Sequence, residues 1–325
     1  MPNPGTLDIL GWFTGRTGTV DRVRAVVAAV LLAIAISVCC ATLPGTHASA
    51  AASTGCADGP EAGTPKPASA GVTRTDYTFA HRVDGRCRTL VTQVREPAPA
   101  SPTTVPVILA IHGLDGTPNA LAPLLDGWTR AGYVVVAPTF PKTKKDARGK
   151  ALRSEVVDQA ADARFVLDEV LDRASTFGID PAEVGAAGMS LGGMTVYGLI
   201  SHTCCQDGRI TAAVVMAGVH DVFPTGRYVH QDVPVLLLQG DADVGLHNSQ
   251  SAYAQLAPPK WFVTLHGEGH SPPFEVPRGS ASALVDTTTA LFWNRYLEHD
   301  TAAAQQIVDA VAATNGKATL RRDLR

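Results

Sequence analysis

The chain lacks the features that mark most ligand classes. Its 325 residues carry 27 basic and 30 acidic side chains, a formal charge of −3, so no broad basic field invites nucleic acid. It has no glycine-rich dinucleotide fingerprint and no phosphate-binding loop. Nor does any cysteine and histidine cluster have the spacing of a structural metal site; His202, Cys204 and Cys205 lie close together, but adjacent residues rarely both ligate one tetrahedral ion well. No cofactor, metal or nucleic-acid partner is therefore expected. The apolar run Ala25 to Val38 spans 14 residues, about 21 Å as a helix and short for a stable membrane span.

That run has a different meaning. Arg16, Arg22 and Arg24 precede it, and a small-residue stretch ending Ala48-Ser49-Ala50 follows. The pattern reads as a signal peptide over residues 1–50, cut after Ala50, which makes the protein exported. An uncleaved anchor is the alternative, as is lipidation at Cys39 or Cys40, although Ile36-Ser37-Val38 lacks the small residue usual before a lipidated cysteine. Residues 51–75 are rich in Ala, Gly, Pro, Ser and Thr and are expected to be a flexible linker. Four cysteines remain beyond Ala50: Cys56, Cys87, Cys204 and Cys205. An even count in an exported chain points to disulfides. Cys56–Cys87 is the expected bridge because it would hold the linker, leaving Cys204 and Cys205 as a vicinal pair or as reduced thiols.

The body of the chain, residues 76–300, alternates apolar strands with helical segments. Residues 77–82 and 88–94 read as a hairpin around Asp84-Gly85. Strands are then expected at 105–111, 133–137, 184–188, 211–217, 233–239 and 260–265, with helices between them and a last one at 281–298. This alternation predicts an α/β fold with a mainly parallel central sheet covered by helices on both faces. No insertion between Ile210 and Val233 is long enough for a large lid. Residues 301–325 read as a helix followed by a basic tail with Arg321, Arg322 and Arg325. The lysine-rich run from Lys142 to Lys150 reads as a solvated loop, with a border of the substrate cleft as the alternative because it follows the Thr139-Phe140-Pro141 turn at a strand end.

The chemistry is concentrated at Gly188-Met189-Ser190-Leu191-Gly192, a G-x-S-x-G pattern. A short apolar strand precedes it and a helical stretch follows, which is the context a strand–turn–helix nucleophile elbow requires. Upstream, Val105 to Ile111 runs into His112-Gly113-Leu114. The loop after such a strand supplies one N–H of an oxyanion hole, and the residue after the nucleophile supplies the other, here Leu114 and Leu191. His112 is read as a brace for that loop. Downstream, the strand at 233–239 ends in Gly240-Asp241-Ala242-Asp243, and the strand at 260–265 ends in His266-Gly267-Glu268-Gly269-His270. Ser, Asp and His therefore occur in the order of one class of triad hydrolase. Asp243 is favoured over Asp241 as the acid, and His270 over His266 as the base. A metal reading of His266 and His270 fails, because Gly-Glu-Gly between them breaks the helix that such a motif needs.

These stretches, together with Ala137-Pro138-Thr139-Phe140-Pro141, resemble the secreted bacterial α/β-hydrolases of the dienelactone-hydrolase, platelet-activating-factor acetylhydrolase and chlorophyllase-like group over roughly residues 76 to 298. Cys204-Cys205-Gln206-Asp207-Gly208-Arg209 is similar to a pattern of actinobacterial members. Many relatives have His before the nucleophile, where this chain has Met189. The resemblance implies an α/β-hydrolase fold and carries the catalytic positions to Ser190, Asp243 and His270. It implies a cofactor-free serine esterase or lipase acting on a small-molecule or lipid ester. A polyester hydrolase, a peptidase and an acyltransferase use the same triad, and a catalytically silent binding protein uses the same scaffold.

Overall fold

The alternation in the sequence folds into one sheet with helices against both faces. The computed structural model describes Cys56 and residues 60–325 other than 84, 147, 222 and 224. The expected signal peptide lies outside the described residues. Eleven strands form the sheet: β1 (Glu61–Ala62), β2 (Lys66–Ser69), β3 (Val72–Val83), β4 (Arg86–Pro97), β5 (Val105–Ile111), β6 (Val134–Thr139), β7 (Ile179–Met189), β8 (Ala212–Met216), β9 (Val235–Gly240), β10 (Lys260–Leu265) and β11 (Ala318–Asp323). Their spatial order is β1-β3-β4-β6-β5-β7-β8-β9-β10-β11, with β2 also paired to β3. From β6 to β10 every pairing is parallel. The N-terminal strands and β11 are antiparallel to their neighbours.

Burial on both faces explains the unbroken apolar strands. In β5, Val107, Leu109 and Ile111 enter one core cluster, while Ile108 and Ala110 enter the other. β9 divides in the same way, with Val235 and Leu237 on one side and Leu236 and Leu238 on the other. The first cluster takes the apolar stripes of α2 (Val156–Leu171), α4 (Leu191–Ser201) and α5 (Leu246–Gln255), and also Phe177 of the short α3 (Ala174–Phe177). The second takes those of α1 (Ala122–Arg130), α6 (Ser282–Tyr296) and α7 (Ala303–Ala312). Where α6 crosses β7 there is no room for a side chain: a Cβ on Gly185 would stand 3.0 Å from the Trp293 ring. No described helix is long and apolar enough to cross a membrane.

Two expectations are corrected. The segment 51–75, expected as a flexible linker, contains strand over much of its described part. β1 and β2 lie against β3, which starts at Val72, and Gly63 N–H donates to Asp76 O at 2.8 Å. Strand pairing at a sheet edge satisfies backbone groups without burying side chains, so a low apolar content does not forbid it. The basic tail is likewise a strand, pairing with β10 from Leu265↔Ala318 to Lys260↔Asp323. Its arginines lie over aromatic rings, Arg321 over Tyr253 at 4.7 Å and Arg322 over Trp261 at 5.5 Å. Cations also protect an outermost strand from pairing with another chain. The hairpin is longer than expected, β3 with β4 spanning 72–97. Between β8 and β9, the described residues of 217–234 form no helix or strand.

Candidate active site

The backbone around Ser190 is shaped by glycines. Ser190 sits between the end of β7 and the start of α4 with φ 56° and ψ −117°, a left-handed conformation that costs a β-carbon-bearing residue about 1–3 kcal/mol. A Cβ on Gly188 would collide with the Gly192 carbonyl, and one on Gly192 with the carbonyls of Ile111 and His112. The two outer glycines of the motif are therefore required by backbone crowding. Ser190 N–H donates to Met216 O on β8 at 2.9 Å, which fixes the turn to the sheet, and Met194 N–H donates to Ser190 O at 3.1 Å as the helix begins.

Two loops at the carboxyl ends of neighbouring strands bring the other groups to it. His270, in the loop after β10, lies with Nε2 2.8 Å from Ser190 Oγ and Nδ1 2.7 Å from Asp243 Oδ2. Asp243, in the loop after β9, is buried. Desolvation works against its charge, but hydrogen bonds from Gly245 N–H, His270 and Gln239 outweigh it and hold the carboxyl below its ordinary range. An ionised carboxylate only accepts, so Nδ1–H of His270 donates to Asp243 and Nε2 is left to accept the Ser190 hydroxyl proton. Asp241 and His266 form a separate, more exposed pair, with His266 Nδ1 2.7 Å from Asp241 Oδ2 and Gly267 N–H 2.7 Å from Oδ1. Of the two histidines, His270 is the one that reaches Ser190.

The histidine loop is anchored through Glu268. Ala242 N–H donates to Glu268 O at 3.0 Å, and a Cβ on Gly240 would collide with that same carbonyl, so the loop crosses the end of β9 where there is no side chain. The Glu268 carboxylate accepts from Ser280 Oγ at 2.6 Å and Ala281 N–H at 3.1 Å, at the entry to α6.

Leu114 follows Gly113 in the loop after β5, and Leu191 follows Ser190. Gly113 is packed so closely on the elbow that a Cβ there would lie 3.2 Å from both Met189 O and Ser190 Cβ. Leu191 is the first residue of α4, where backbone N–H groups have no intrahelical acceptor. Neither N–H has an acceptor among the described residues. His112 is buried and braces this loop: its Nδ1 lies 2.8 Å from Gly113 O, and Phe140 N–H donates to its Nε2 at 3.0 Å. Burial lowers its pKa to about 4, so the ring stays neutral with the proton on Nδ1. The lysine-rich loop runs beside the same segment. Asp115 N–H donates to Thr143 O at 2.8 Å, Lys145 lies 3.7 Å from Asp115, and Lys142 is tied to Glu155 and Asp158.

Sequence reasoning passed over Gln239, which donates to Asp243, Ser249, which donates to Gln239, and Glu268, whose carbonyl accepts from Ala242 N–H. The signal available for Gln239 was a primary amide within an apolar strand. Elsewhere, Cys56–Cys87 and Cys204–Cys205 are disulfides. His202, Cys204 and Cys205 have their ligand-type atoms within 4.8 Å of one another, with both sulfurs bonded to each other.

A mainly parallel sheet covered on both faces, with a serine on a strand–helix elbow and with His and Asp at later strand ends, defines an α/β-hydrolase. The model of the dienelactone hydrolase family matches residues 93–257, and the chain belongs to that family. It is therefore a hydrolase of the α/β-hydrolase type. The matched span contains Ser190, Asp243 and the loop from His112 to Leu114, and ends before His270. No curated protein matches the chain.

Proposed function

We propose that the protein hydrolyses carboxylic esters through Ser190, His270 and Asp243. The observation that carries this reading is the unbroken chain of contacts from Asp243 Oδ2 through His270 to Ser190 Oγ, at 2.7 and 2.8 Å. Ser190 Oγ attacks the ester carbonyl as its proton passes to His270 Nε2. The carbonyl electron pair moves onto oxygen and is held by the N–H groups of Leu114 and Leu191; one such donor typically lowers a barrier by about 3–4 kcal/mol. Collapse breaks the bond to the alcohol, which leaves with the proton from His270. Water, deprotonated by the same Nε2, then attacks the acyl-Ser190 carbonyl. The acid departs, and Ser190 recovers its proton. Asp243 stays ionised and stabilises the imidazolium formed in each half.

The surroundings favour an accessible ester with an apolar portion. The His270 side chain is 42% exposed, Leu114 is 38% exposed, and Val244 next to Asp243 is fully exposed. Hydrolysis of p-nitrophenyl esters of increasing acyl length tests the reading. Short and medium chains should turn over and Ser190→Ala should not. Turnover of peptides or of insoluble polyester alone, with no activity on these esters, would move the substrate class elsewhere.

We further propose that the protein works outside the cytoplasm. The basic-apolar-small leader of residues 1–50 supports this, as do two disulfides in one small domain.

A further inference from the structure

We propose that Gln239 is a positioning residue, holding the Asp243 carboxylate and, through it, the His270 ring in the geometry that Ser190 requires. This rests on the reading of Ser190, His270 and Asp243 as the reacting set. Gln239 is the penultimate residue of β9, in the run Val235-Leu236-Leu237-Leu238-Gln239-Gly240, and is 1% exposed. A buried primary amide is costly unless both of its ends are paired. Here both are: Nε2 donates to Asp243 Oδ2 at 2.6 Å, and Oε1 accepts from Ser249 Oγ at 2.7 Å. Ser249 lies on α5 and is itself buried.

The orientation of the amide follows from its partners. An ionised carboxylate only accepts, so the NH₂ end must face Asp243 and the carbonyl end Ser249. Oδ2 of Asp243 then takes two donors, Gln239 and His270, while Oδ1 takes Gly245 N–H at 2.9 Å. Both oxygens are thereby assigned. Rotation of the carboxylate, which would swing the acceptor away from His270 Nδ1, would break bonds to a strand, a loop and an imidazole together. The Asp243 backbone is tied by Asp243 N–H to Gly240 O at 3.4 Å and by Leu246 N–H to Asp243 O at 3.1 Å, and neither bond fixes the rotation of its carboxylate. β9 and α5, through Gln239 and Ser249, supply a side-chain tie that fixes that rotation. Among the described residues, the Gln239 side chain makes no hydrogen bond to the elbow, so it acts through Asp243.

The test is steady-state kinetics on p-nitrophenyl acetate across pH, comparing wild type with Gln239→Met, Ser249→Ala and Ser190→Ala. Gln239→Met keeps length and removes the donor. It should lower kcat about tenfold to a hundredfold, the range for losing a hydrogen bond to a charged group, with KM changed by less than about twofold. The acid limb of the kcat/KM profile should move to higher pH, because Asp243, having lost a donor, holds the imidazolium more tightly. Ser249→Ala should change kcat and the acid limb in the same direction by less. A folded Gln239→Met with wild-type kcat and an unmoved acid limb would overturn the proposal, as would a loss confined to KM. If Gln239→Met does not fold, Ser249→Ala decides, and a wild-type profile there overturns it. Ser190→Ala separates the two claims: activity surviving in that variant sinks the catalytic reading itself, whereas its loss alongside an unaffected Gln239→Met sinks only the role of Gln239.

Discussion

At the scale of single residues, the site is a problem of choosing between near-identical candidates. The loops after β9 and β10 each offer an aspartate or histidine pair two or four residues apart. The fold couples Asp241 to His266 and Asp243 to His270, and only the second histidine lies on Ser190. His270→Ala and Asp243→Asn should therefore each cost about three or more orders of magnitude in kcat, as triad members do. His266→Ala and Asp241→Asn should cost less than about tenfold, an ordinary perturbation of a neighbouring loop. Steady-state kinetics on the four variants decides this, and deep losses at His266 or Asp241 would reverse the assignment. The positions of Ser190, Asp243 and His270 were legible because each follows an apolar strand, and strand ends on one side of a parallel sheet converge. Gln239 was not legible. Its function depends on which oxygen of Asp243 and which helix it meets, and spacing carries neither fact.

At the scale of elements, α2 and the β3–β4 hairpin are joined by charges. Arg88 reaches Asp158 at 2.7 Å and Asp162 at 3.0 Å, and Lys142 reaches Asp158 at 3.0 Å. Burial opposes the Asp158 charge, but hydrogen bonds from Arg88 and Lys142 prevail and bring its pKa from the ordinary 3.8 to about 2. A depressed acid contributes stability that is complete above the unfolded value and disappears as pH falls through the folded one. Asp158→Asn should therefore lower Tm relative to wild type at pH 5, and the difference should shrink from about pH 4 and close near pH 2. A Tm difference that does not change across that window would contradict this. Five of the six parallel strands were legible to within two residues because both their faces are buried, whereas β7 starts five residues before the expected 184, at Ile179, since its stretch Asp180 to Glu183 is partly exposed and breaks the apolar run. β1, β2 and β11 were not: an edge strand such as Ala318-Thr319-Leu320-Arg321-Arg322-Asp323 is held by backbone pairing and by cation–aromatic contacts, which leave no apolar pattern to read.

At the scale of the whole molecule, the Cys56–Cys87 disulfide ties the start of the described chain to the hairpin across 31 positions. In the chain-entropy account, closing a loop of that size contributes about 3–4 kcal/mol. Replacing both cysteines by serine should lower the midpoint of urea unfolding, and an unchanged midpoint would mean that this segment lies outside the cooperative unit. Intact mass of protein recovered from the medium should show a chain beginning near Ala51 with no alkylatable thiols before reduction. A diacylglyceryl mass at Cys39 or Cys40 would replace the secreted reading with an anchored one. The central claim, that this hydrolase works through an activated Ser190, is tested most directly by a fluorophosphonate probe followed by peptide mass mapping. The account predicts one adduct per chain, on the peptide containing Ser190, with labelling abolished in Ser190→Ala and strongly slowed in His270→Ala. Labelling at another residue, or none in folded protein that still hydrolyses esters, would contradict it.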